Sequence, residues 1–259
     1  MTTVPTSHPP TVPATKVAGT RAPLQLSEEH HLCPGCGHPV AWRILLEVIS
    51  ELGLAQRAIG VVGHGCYTNI VRLADIDFLQ CLHGRAPAVA LEGEHRRLPL
   101  HPFHPGGDGD MASEGLAEVL HAAARAERIT CIMLNNGVFG DTGGQMTAAT
   151  LIGQRTKTSV EGRDPDRHGY PVPVADLVSR LAGTAYVARG AVNNAGSVAQ
   201  TKRYLRRAFE LQMQGAGFTF VEILTMCPTG WFVPTAEGPG YLVDVFEKVY
   251  PVGELDERS

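Results

Sequence analysis

Two stretches of the sequence hold residues whose types and spacing could support chemistry, and the first surrounds an aspartate. In GGDGD, residues 106–110, Asp108 stands between glycines, and Asn136 follows 28 positions later at the end of an apolar run. Carboxylate and amide oxygens are ligands that Mg²⁺ accepts, and glycine lets a phosphate approach the backbone closely. These residues could hold a diphosphate through a divalent cation, with a carbonyl two residues after Asn136 as a third protein ligand. Each pair alone is also a common turn sequence, so two unrelated turns are the alternative.

The second stretch is CPGCGH, residues 33–38, in which Cys33 and Cys36 form a C-x-x-C pair. Such a pair alone is compatible with zinc, an iron–sulfur cluster or a redox dithiol. Cys66 and Cys227 each follow a predicted strand and could join the pair at one edge of a sheet. Four thiolates suit either tetrahedral zinc or a 4Fe-4S cluster, and the residues alone leave both open.

The other two cysteines and a group of histidines are interpreted as structural. Cys81 and Cys131 lie within apolar runs, so we expect them to be buried thiols. His95, His101 and His104 could suggest a metal-binding patch, but they fall in a Pro- and Arg-rich segment without rigid spacing. We therefore expect these histidines to lie in a solvated loop.

Composition narrows the function classes. The 259 residues fit one large α/β domain better than two small ones. The 22 basic and 26 acidic side chains give a net charge of −4, which argues against a general nucleic-acid surface. No apolar run approaches the roughly 18 residues of a membrane span, so no membrane insertion is expected. Residues 1–25 are rich in Pro, Thr and Ala and lack the apolar core of a secretory signal. We expect this segment to be disordered or to wrap a partner, in a cytoplasmic protein whose cysteines are thiols or ligands.

Alternating helix and strand patterns must position these residues. Helical spacing covers 39–54, 113–127 and 197–214, strand patterns cover 58–66, 129–136 and 218–227, and 171–190 reads as a helix followed by a strand. This alternation predicts a doubly wound, mainly parallel α/β sheet, in which ligands bind beyond the carboxyl ends of the strands. The strand before Asp108 looks weak, because RRLPLHPFHP at 96–105 contains three prolines, which favours a shortened sheet or a remodelled loop. Asn193 and Asn194 lack an upstream Asp-Gly partner and are predicted to form a turn.

The order of the motifs resembles the thiamine diphosphate-binding fold and, within it, the β subunit of the 2-oxoacid:ferredoxin oxidoreductases. The resemblance covers about residues 28–235 and rests on LCPGCGH, GHGC, HGRAPAVA, GDGD, NNGVFGDTGGQMT, LIGQRTKT and CPTGW, in that order. It implies a thiamine diphosphate-binding domain with a cluster site at 26–235, followed by a C-terminal extension at 236–259.

The resemblance also implies which residues bind each cofactor. The Mg²⁺ ion would be held by Asp108, Asn136 and the carbonyl of Val138. The ligands of a 4Fe-4S cluster would be Cys33, Cys36, Cys66 and Cys227. The residues in contact with thiamine diphosphate would be His64, Gly65, Cys66, Tyr67, Gly107, Gly109, Asp110, Gly140 and Asp141. Asn69 and Arg85 are candidates for polar contacts with a substrate, with structural roles equally open.

The activity implied by this resemblance is the coenzyme A-dependent oxidative decarboxylation of a 2-oxoacid, such as 2-ketoisovalerate, pyruvate or 2-oxoglutarate, with electrons passing through the cluster to ferredoxin. Gly143 stands where some relatives that act on 2-oxoglutarate carry a lysine, which favours pyruvate or a branched 2-oxoacid. Activation of the cofactor requires a glutamate from a pyrimidine-binding domain. We expect that domain on an α subunit, and γ and δ subunits could complete the assembly.

Three other interpretations stay open at this point. A structural zinc protein could use the four cysteines as a scaffold, but it would leave the spacing of Asp108 and Asn136 unexplained. A thiamine diphosphate-dependent lyase or non-oxidative decarboxylase would need no electron acceptor and therefore no four cysteines. A paralogue that has kept the fold and lost activity is the third, since Asp141 adds negative charge near a diphosphate and the strand before Asp108 looks damaged.

Overall fold

The computed structural model describes residues 30–95 and 100–257, so the predicted N-terminal segment 1–25 lies outside the described residues. The strands are β1 Ala58–Val62, β2 Asp77–Gln80, β3 His101–Gly107, β4 Thr130–Asn135, β5 Val138–Phe139, β6 Gln145–Met146, β7 Thr184–Ala191, β8 Phe218–Leu224 and β9 Gly253–Glu257. The α-helices are α1 His38–Glu51, α2 Ala86–His95, α3 Leu116–Ala124, α4 Pro165–His168, α5 Val174–Ser179, α6 Ala195–Met213, α7 Pro228–Trp231, α8 Gly238–Tyr241 and α9 Glu247–Val249. Shorter 3-10 and π-helical segments cover Cys66–Leu73, Thr235–Glu237, Gly109–Glu114 and Leu242–Phe246.

Seven of the described strands form one sheet in the order β2-β1-β3-β4-β8-β7-β9. Neighbouring strands are parallel from β2 through β7, and β9 alone pairs antiparallel, against β7. The predicted α/β class and mainly parallel sheet are therefore confirmed. In the described residues, no helix is long and apolar enough to cross a membrane.

Helices cover both faces of the sheet because successive strand residues point to opposite sides. In β1, Val62 packs with α1 and α6 in one apolar cluster, whereas its neighbour Val61 packs with α2, α3 and α5 in another. In β4, Ile132 and Cys131 divide in the same way. Cys131 is a buried thiol as predicted, but Cys81 is only partly buried. The two-sided burial accounts for the almost continuous apolar runs of these strands.

The predicted weakness of the strand before Asp108 is wrong. β3 lies in the interior of the sheet and pairs in parallel with both β1 and β4. Pro105 offers no N–H to its neighbour, and the Val61 carbonyl on β1 instead accepts a hydrogen bond from His104 Nδ1 at 2.8 Å. A histidine side chain thus replaces a backbone donor, which lets a proline-rich segment continue as an inner strand.

The predicted solvated histidine loop is wrong for the same reason. His104 is fully buried in β3, and His101 begins that strand. His95 ends helix α2, and its side chain lies outside the described part of the structure. The Asn193–Asn194 pair does form a chain reversal, and the Asn194 side chain caps α6 by accepting a hydrogen bond from Ser197 N at 2.9 Å.

Residues 238–257 return to the sheet. Leu242, Phe246 and Tyr250 form an apolar cluster with Trp231, and the Tyr250 hydroxyl donates to the Ala149 carbonyl at 2.9 Å. The chain then adds β9 to the edge of the sheet beside β7. Packing of this part of the chain therefore supports the loops that follow β4 and β8.

A buried ion pair links the inner strands. Arg189 on β7 and Glu222 on β8 are each 1% exposed at the side chain, and Arg189 Nε lies 2.7 Å from Glu222 Oε2. Asn135 donates to the other Glu222 oxygen at 2.7 Å, and Arg189 also reaches Asp176 Oδ2 at 2.6 Å. Each buried charge is therefore compensated and hydrogen-bonded, which is the condition for keeping it in a dry interior.

Replacing Arg189 by methionine is expected to destabilise the fold by about 3–5 kcal/mol, because Glu222 would be left as a buried, unpaired charge. Urea denaturation monitored by circular dichroism measures this loss. The double variant Arg189→Met with Glu222→Met should recover part of it, since both charges are then removed. A single variant as stable as the wild type would contradict the role assigned to this pair.

Candidate functional site

The motifs meet at one edge of the sheet, where the parallel strands end. The turn after β1 carries Gly65 and Cys66, Asp108 follows β3 directly, Asn136 follows β4, and Cys227 comes shortly after β8. Parallel strands present their carboxyl ends at the same edge of the sheet. The motifs that follow these strands therefore lie close together although they are far apart in the sequence.

Asp108 and Asn136 lie side by side in a buried corner of this edge. The Asn136 backbone N–H donates to Asp108 Oδ1 at 3.2 Å, and Thr147 donates its hydroxyl to Asp108 Oδ2 at 2.6 Å. The Asn136 side-chain oxygen accepts a hydrogen bond from Val138 N at 3.1 Å, which fixes a tight turn at residues 136–138. Asp108, Asn136 and Val138 also line the same cleft. Their role as Mg²⁺ ligands stays a prediction.

The electrostatics of this corner also suit a cation. Burial raises the pKa of Asp108 to about 7, although the hydrogen bonds from Thr147 and Asn136 oppose the rise. Its hydrogen-bond donors are neutral groups, so a divalent ion would stabilise the ionised carboxylate and displace a proton below this pKa. The donor chemistry of these residues therefore fits Mg²⁺.

Residues that were not predicted hold Asn136 in place. The indole N–H of Trp231 donates to the Asn136 carbonyl at 2.7 Å, and His38 Nε2 lies 3.4 Å from the Asn136 side-chain nitrogen. Both residues fall within the quoted motifs CPTGW and LCPGCGH, as Thr147 falls within NNGVFGDTGGQMT. The motifs therefore indicate that these residues belong to the site. Their role in supporting the proposed Mg²⁺ ligands follows only from the three-dimensional contacts.

Asp110 is the centre of a second buried network. Its side chain is completely buried, and its oxygens accept hydrogen bonds from the Tyr67 hydroxyl at 2.8 Å and from Gly84 N at 2.7 Å. His83 Nδ1 lies 2.6 Å from Asp110 Oδ1, and His104 Nε2 lies 3.5 Å from Oδ2. These contacts, led by the bond to His83, hold the pKa of Asp110 below its usual value despite burial. The Asp110 carboxylate therefore helps to orient the Tyr67 and His83 side chains.

A cleft runs over both networks. The residues predicted to contact thiamine diphosphate all line it: His64, Gly65, Cys66, Tyr67, Gly107, Gly109, Asp110, Gly140 and Asp141. His38, His83 and Phe139 line it as well, without having been predicted. Asn69 and Arg85 do not line this cleft: Asn69 borders a separate surface hollow, and Arg85 forms an ion pair with Glu118.

The four predicted cluster cysteines line a neighbouring cavity of about 330 Å³. The CPGC turn is closed by a hydrogen bond from Cys36 N to the Cys33 carbonyl at 3.0 Å. Gly37 N donates to the Met226 carbonyl at 2.9 Å, and a side chain at Gly37 would come within 2.7 Å of the Met226 nitrogen. A glycine is required there, because this close approach is what brings the turn beside Cys227.

The thiols surround a space and do not converge on a single point. Within residues 30–95 and 100–257, no three His, Cys, Asp or Glu side chains are arranged to hold one metal ion. Burial, with repulsion between neighbouring thiols, raises the pKa of Cys36 to about 11 and those of Cys66 and Cys227 to about 12. Binding of iron would therefore have to release the thiol protons. The four thiols around this cavity have the donor chemistry of an iron–sulfur cluster, which stays a prediction for this site.

The cleft and the cysteine cavity share a wall formed by His38, Cys66, Asn136 and Gly140. A methyl group on Gly140 would lie 3.3 Å from Cys66 Sγ and 3.9 Å from Cys227 Sγ, so the glycine leaves room between the two thiols. The two candidate cofactor sites are therefore adjacent, with Cys66 belonging to both.

Replacing Gly140 by alanine is expected to lower the iron content of the anaerobically reconstituted chain while the fold persists. The new methyl group would take space between Cys66 and Cys227, and such overpacking typically costs about 1–3 kcal/mol. Iron and labile sulfide assays measure the effect, with circular dichroism as the check on folding. Gly240→Ala, where a methyl group meets nothing within 4 Å, is the matched control. An unchanged iron content in the Gly140 variant would argue against a cluster in this cavity.

Comparison with known proteins places these features in a family. The sequence profile described as "Thiamine pyrophosphate enzyme, C-terminal TPP binding domain" matches residues 77–223. The ketoisovalerate oxidoreductase subunit VorA of Methanothermobacter marburgensis is 36% identical over 88% of this chain and 48% of its own length. The 2-oxoglutarate synthase subunit KorB of Archaeoglobus fulgidus is 30% identical over 83% of this chain and 76% of its own length.

A solved structure shares the fold. The 2-oxoglutarate:ferredoxin oxidoreductase of Magnetococcus marinus, solved with 2-oxoglutarate, coenzyme A and succinyl-CoA bound, matches with a TM-score of 0.72 at 24% identity. The match covers 90% of this chain and 82% of that one. Against the VorA subunits of two Methanothermobacter species, by contrast, the chain spans about half of the relative's length.

Proposed function

Because this chain belongs to the family of 2-oxoacid:ferredoxin oxidoreductase β subunits and carries a thiamine pyrophosphate-binding domain, we propose that it forms the cofactor-binding half of such an enzyme. The reaction is the coenzyme A-dependent oxidative decarboxylation of a 2-oxoacid. In each turnover the bond between the carboxylate and carbonyl carbons breaks and a thioester forms, while CO₂, a proton and two electrons are released. The electrons leave through a 4Fe-4S cluster to ferredoxin.

Asp108, Asn136 and the carbonyl of Val138 would hold Mg²⁺, and the glycine-bordered cleft beside them would hold the diphosphate. Thiamine diphosphate supplies the carbanion-stabilising chemistry that decarboxylation of a 2-oxoacid needs. The residues of this chain bind and orient the cofactor: Thr147 and Trp231 fix the Mg²⁺ ligands through the hydrogen bonds described above. Such supporting contacts commonly decide metal affinity by about 10- to 100-fold.

The observation that carries the proposal is the wall shared by the cleft and the cysteine cavity. Cys66 lines both spaces, and Gly140 leaves room beside the Cys66 and Cys227 thiols. A redox cluster bound by these cysteines would lie next to the cofactor, so electrons could leave the reaction centre directly. A non-oxidative decarboxylase transfers no electrons and therefore needs no redox cluster beside its cofactor. The spaced thiols also fit a cluster better than a single zinc ion.

The proposed enzyme needs a partner. The cleft encloses only about 60 Å³, far below the roughly 300–1,000 Å³ of typical cofactor sites. This chain would therefore form one wall of the site, and an α subunit with a pyrimidine-binding domain would form the other and supply the activating glutamate. Gly143, which is exposed beside the cysteine cavity, has no side chain to bind a second carboxylate, which favours 2-ketoisovalerate or pyruvate as the substrate. Lys157 lines the same cavity, so 2-oxoglutarate stays among the substrates to be tested.

Anaerobic co-purification of the chain with its partner subunit tests the proposal. Reduction of a viologen dye should require the complex, coenzyme A and a 2-oxoacid together, and the chain alone should be inactive. Release of CO₂ and an aldehyde without dye reduction would identify a non-oxidative decarboxylase instead. A complex that binds iron and thiamine diphosphate yet turns over no 2-oxoacid would overturn the proposed activity.

A further inference from the structure

The cofactor cleft lacks the positive side chains expected around a diphosphate. Asp108, Asp110 and Asp141 line it, but the described residues around the cleft include no lysine and no arginine. Phosphate sites usually combine cationic side chains with backbone donors and metal ions. Among the described residues of this chain that line the cleft, only the histidines can contribute positive charge.

Among the cleft histidines, His83 is the one paired with a buried carboxylate. His83 Nδ1 lies 2.6 Å from Asp110 Oδ1, and the Asp110 side chain is completely buried. The other partners of Asp110 cannot balance its charge, because the Tyr67 hydroxyl and the Gly84 amide are neutral donors. A buried carboxylate stays ionised only when a positive charge compensates it. The lowered pKa of Asp110 indicates that it is ionised.

His104 does not supply that charge. Its Nδ1 is committed to the Val61 carbonyl at 2.8 Å, and burial lowers its pKa. Its Nε2 also lies 3.5 Å from Asp110 Oδ2, farther than the 2.6 Å that separates His83 Nδ1 from Asp110 Oδ1. The compensating proton therefore belongs to His83.

The setting of His83 leaves one ring nitrogen for a ligand. Its side chain is 33% exposed and lines the cleft, while the ring packs edge-on against Phe139 with centroids 5.8 Å apart. Asp110 engages Nδ1, so Nε2–H is the free donor. The hydrogen bond to Asp110 raises the pKa of His83, and the charge of Glu114 adds to the effect. His64, the neighbouring ring at 6.3 Å, has instead the neutral Gln80 side chain as its partner.

We propose that His83, oriented by Asp110, is an anion-pairing residue of the cleft whose Nε2–H donates to an anionic oxygen of the bound cofactor or substrate. The inference rests on the proposed function and adds a positioning residue to it. The oxygen belongs either to the diphosphate of thiamine diphosphate or to the carboxylate of the 2-oxoacid. Both are anionic oxygens, and two measurements separate them.

The first measurement is Mg²⁺-dependent binding of thiamine diphosphate to the chain by titration calorimetry. His83→Gln should weaken binding about 10- to 100-fold if the diphosphate is the partner, as expected for a hydrogen bond to a charged group. His83→Lys should restore part of the affinity, since it returns a positive charge. The control is His121→Gln on the exposed side of α3. The second measurement is the KM for the 2-oxoacid in the complex with the partner subunit, which should rise instead if the carboxylate is bound.

The pH dependence identifies the charge. Binding that needs protonated His83 weakens as the pH rises through its raised pKa, and His83→Gln should remove this step. If His83→Gln binds thiamine diphosphate with wild-type affinity and has a wild-type KM for the 2-oxoacid, the inference about His83 is wrong, whereas the proposed function stands. If neither the wild-type chain nor its complex binds thiamine diphosphate, both the proposed function and the inference about His83 are wrong.

Discussion

Asp108→Asn is expected to reduce Mg²⁺-dependent binding of thiamine diphosphate by more than about 100-fold, beyond the effect typical of outer-shell partners. The substitution exchanges a charged oxygen for an amide at the centre of the proposed Mg²⁺ site, where Asn136 N and the Thr147 hydroxyl already lie within hydrogen-bonding distance. Mg²⁺ strongly prefers anionic oxygen ligands, so the remaining amide and carbonyl oxygens should not retain it. Titration calorimetry with thiamine diphosphate, with and without Mg²⁺, measures the loss.

The same variant should fold at least as well as the wild type in the absence of ligand. Burial raises the pKa of Asp108 to about 7, which shows that the ionised carboxylate is costly when no cation balances it. Removing that charge should leave the melting temperature of the ligand-free chain unchanged or higher. The iron content should stay near that of the wild type, and Asp244→Asn at an exposed site is the matched control. Full cofactor affinity in Asp108→Asn would show that the residue is not a Mg²⁺ ligand.

Cys66→Ser is expected to prevent assembly of the cluster, so that the anaerobically reconstituted chain loses most of its roughly four iron atoms. Cys66 is the cysteine shared by the cleft and the cysteine cavity. A serine oxygen is a poor substitute for thiolate as an iron–sulfur ligand, because these clusters select soft sulfur donors. Iron and sulfide analysis and the visible absorbance of the cluster report the loss, and Cys36→Ser and Cys227→Ser should behave alike.

A chemically matched control is available within the chain. The Cys81 thiol donates to the Val62 carbonyl at 3.4 Å and does not line the cysteine cavity. Cys81→Ser can keep this hydrogen bond, so its iron content should equal that of the wild type. An equal iron content in the Cys66→Ser and Cys81→Ser variants would contradict the assignment of a cluster to this cavity. Replacement of the iron signal by stoichiometric zinc in the wild-type chain would favour the structural zinc alternative.

The sequence alone determined the class of the fold and a large part of the residues at its functional edge. Buried strands such as β4 and β8 carry continuous apolar runs, and the helices between them have helical apolar spacing, because both faces of a parallel sheet must be covered. Asp108, Asn136 and Cys227 could be placed at strand ends for the same reason. The carboxyl ends of parallel strands share one edge of the sheet. Residues that follow different strands are therefore predicted to lie close together even when they are far apart in the sequence.

The tertiary structure decided the features that depend on a partner far along the chain. The prolines of β3 predict a weak strand, yet the His104 side chain supplies the donor that the Val61 carbonyl needs. No local pattern contains that bond, because the two residues are 43 positions apart. The roles of His38 and Trp231 as supports of Asn136, and of Asp110 as the partner of His83, arise in the same way. Periodicity reports which face of an element is buried, whereas a charge or hydrogen-bond donor is satisfied by whichever group the folded chain brings to it.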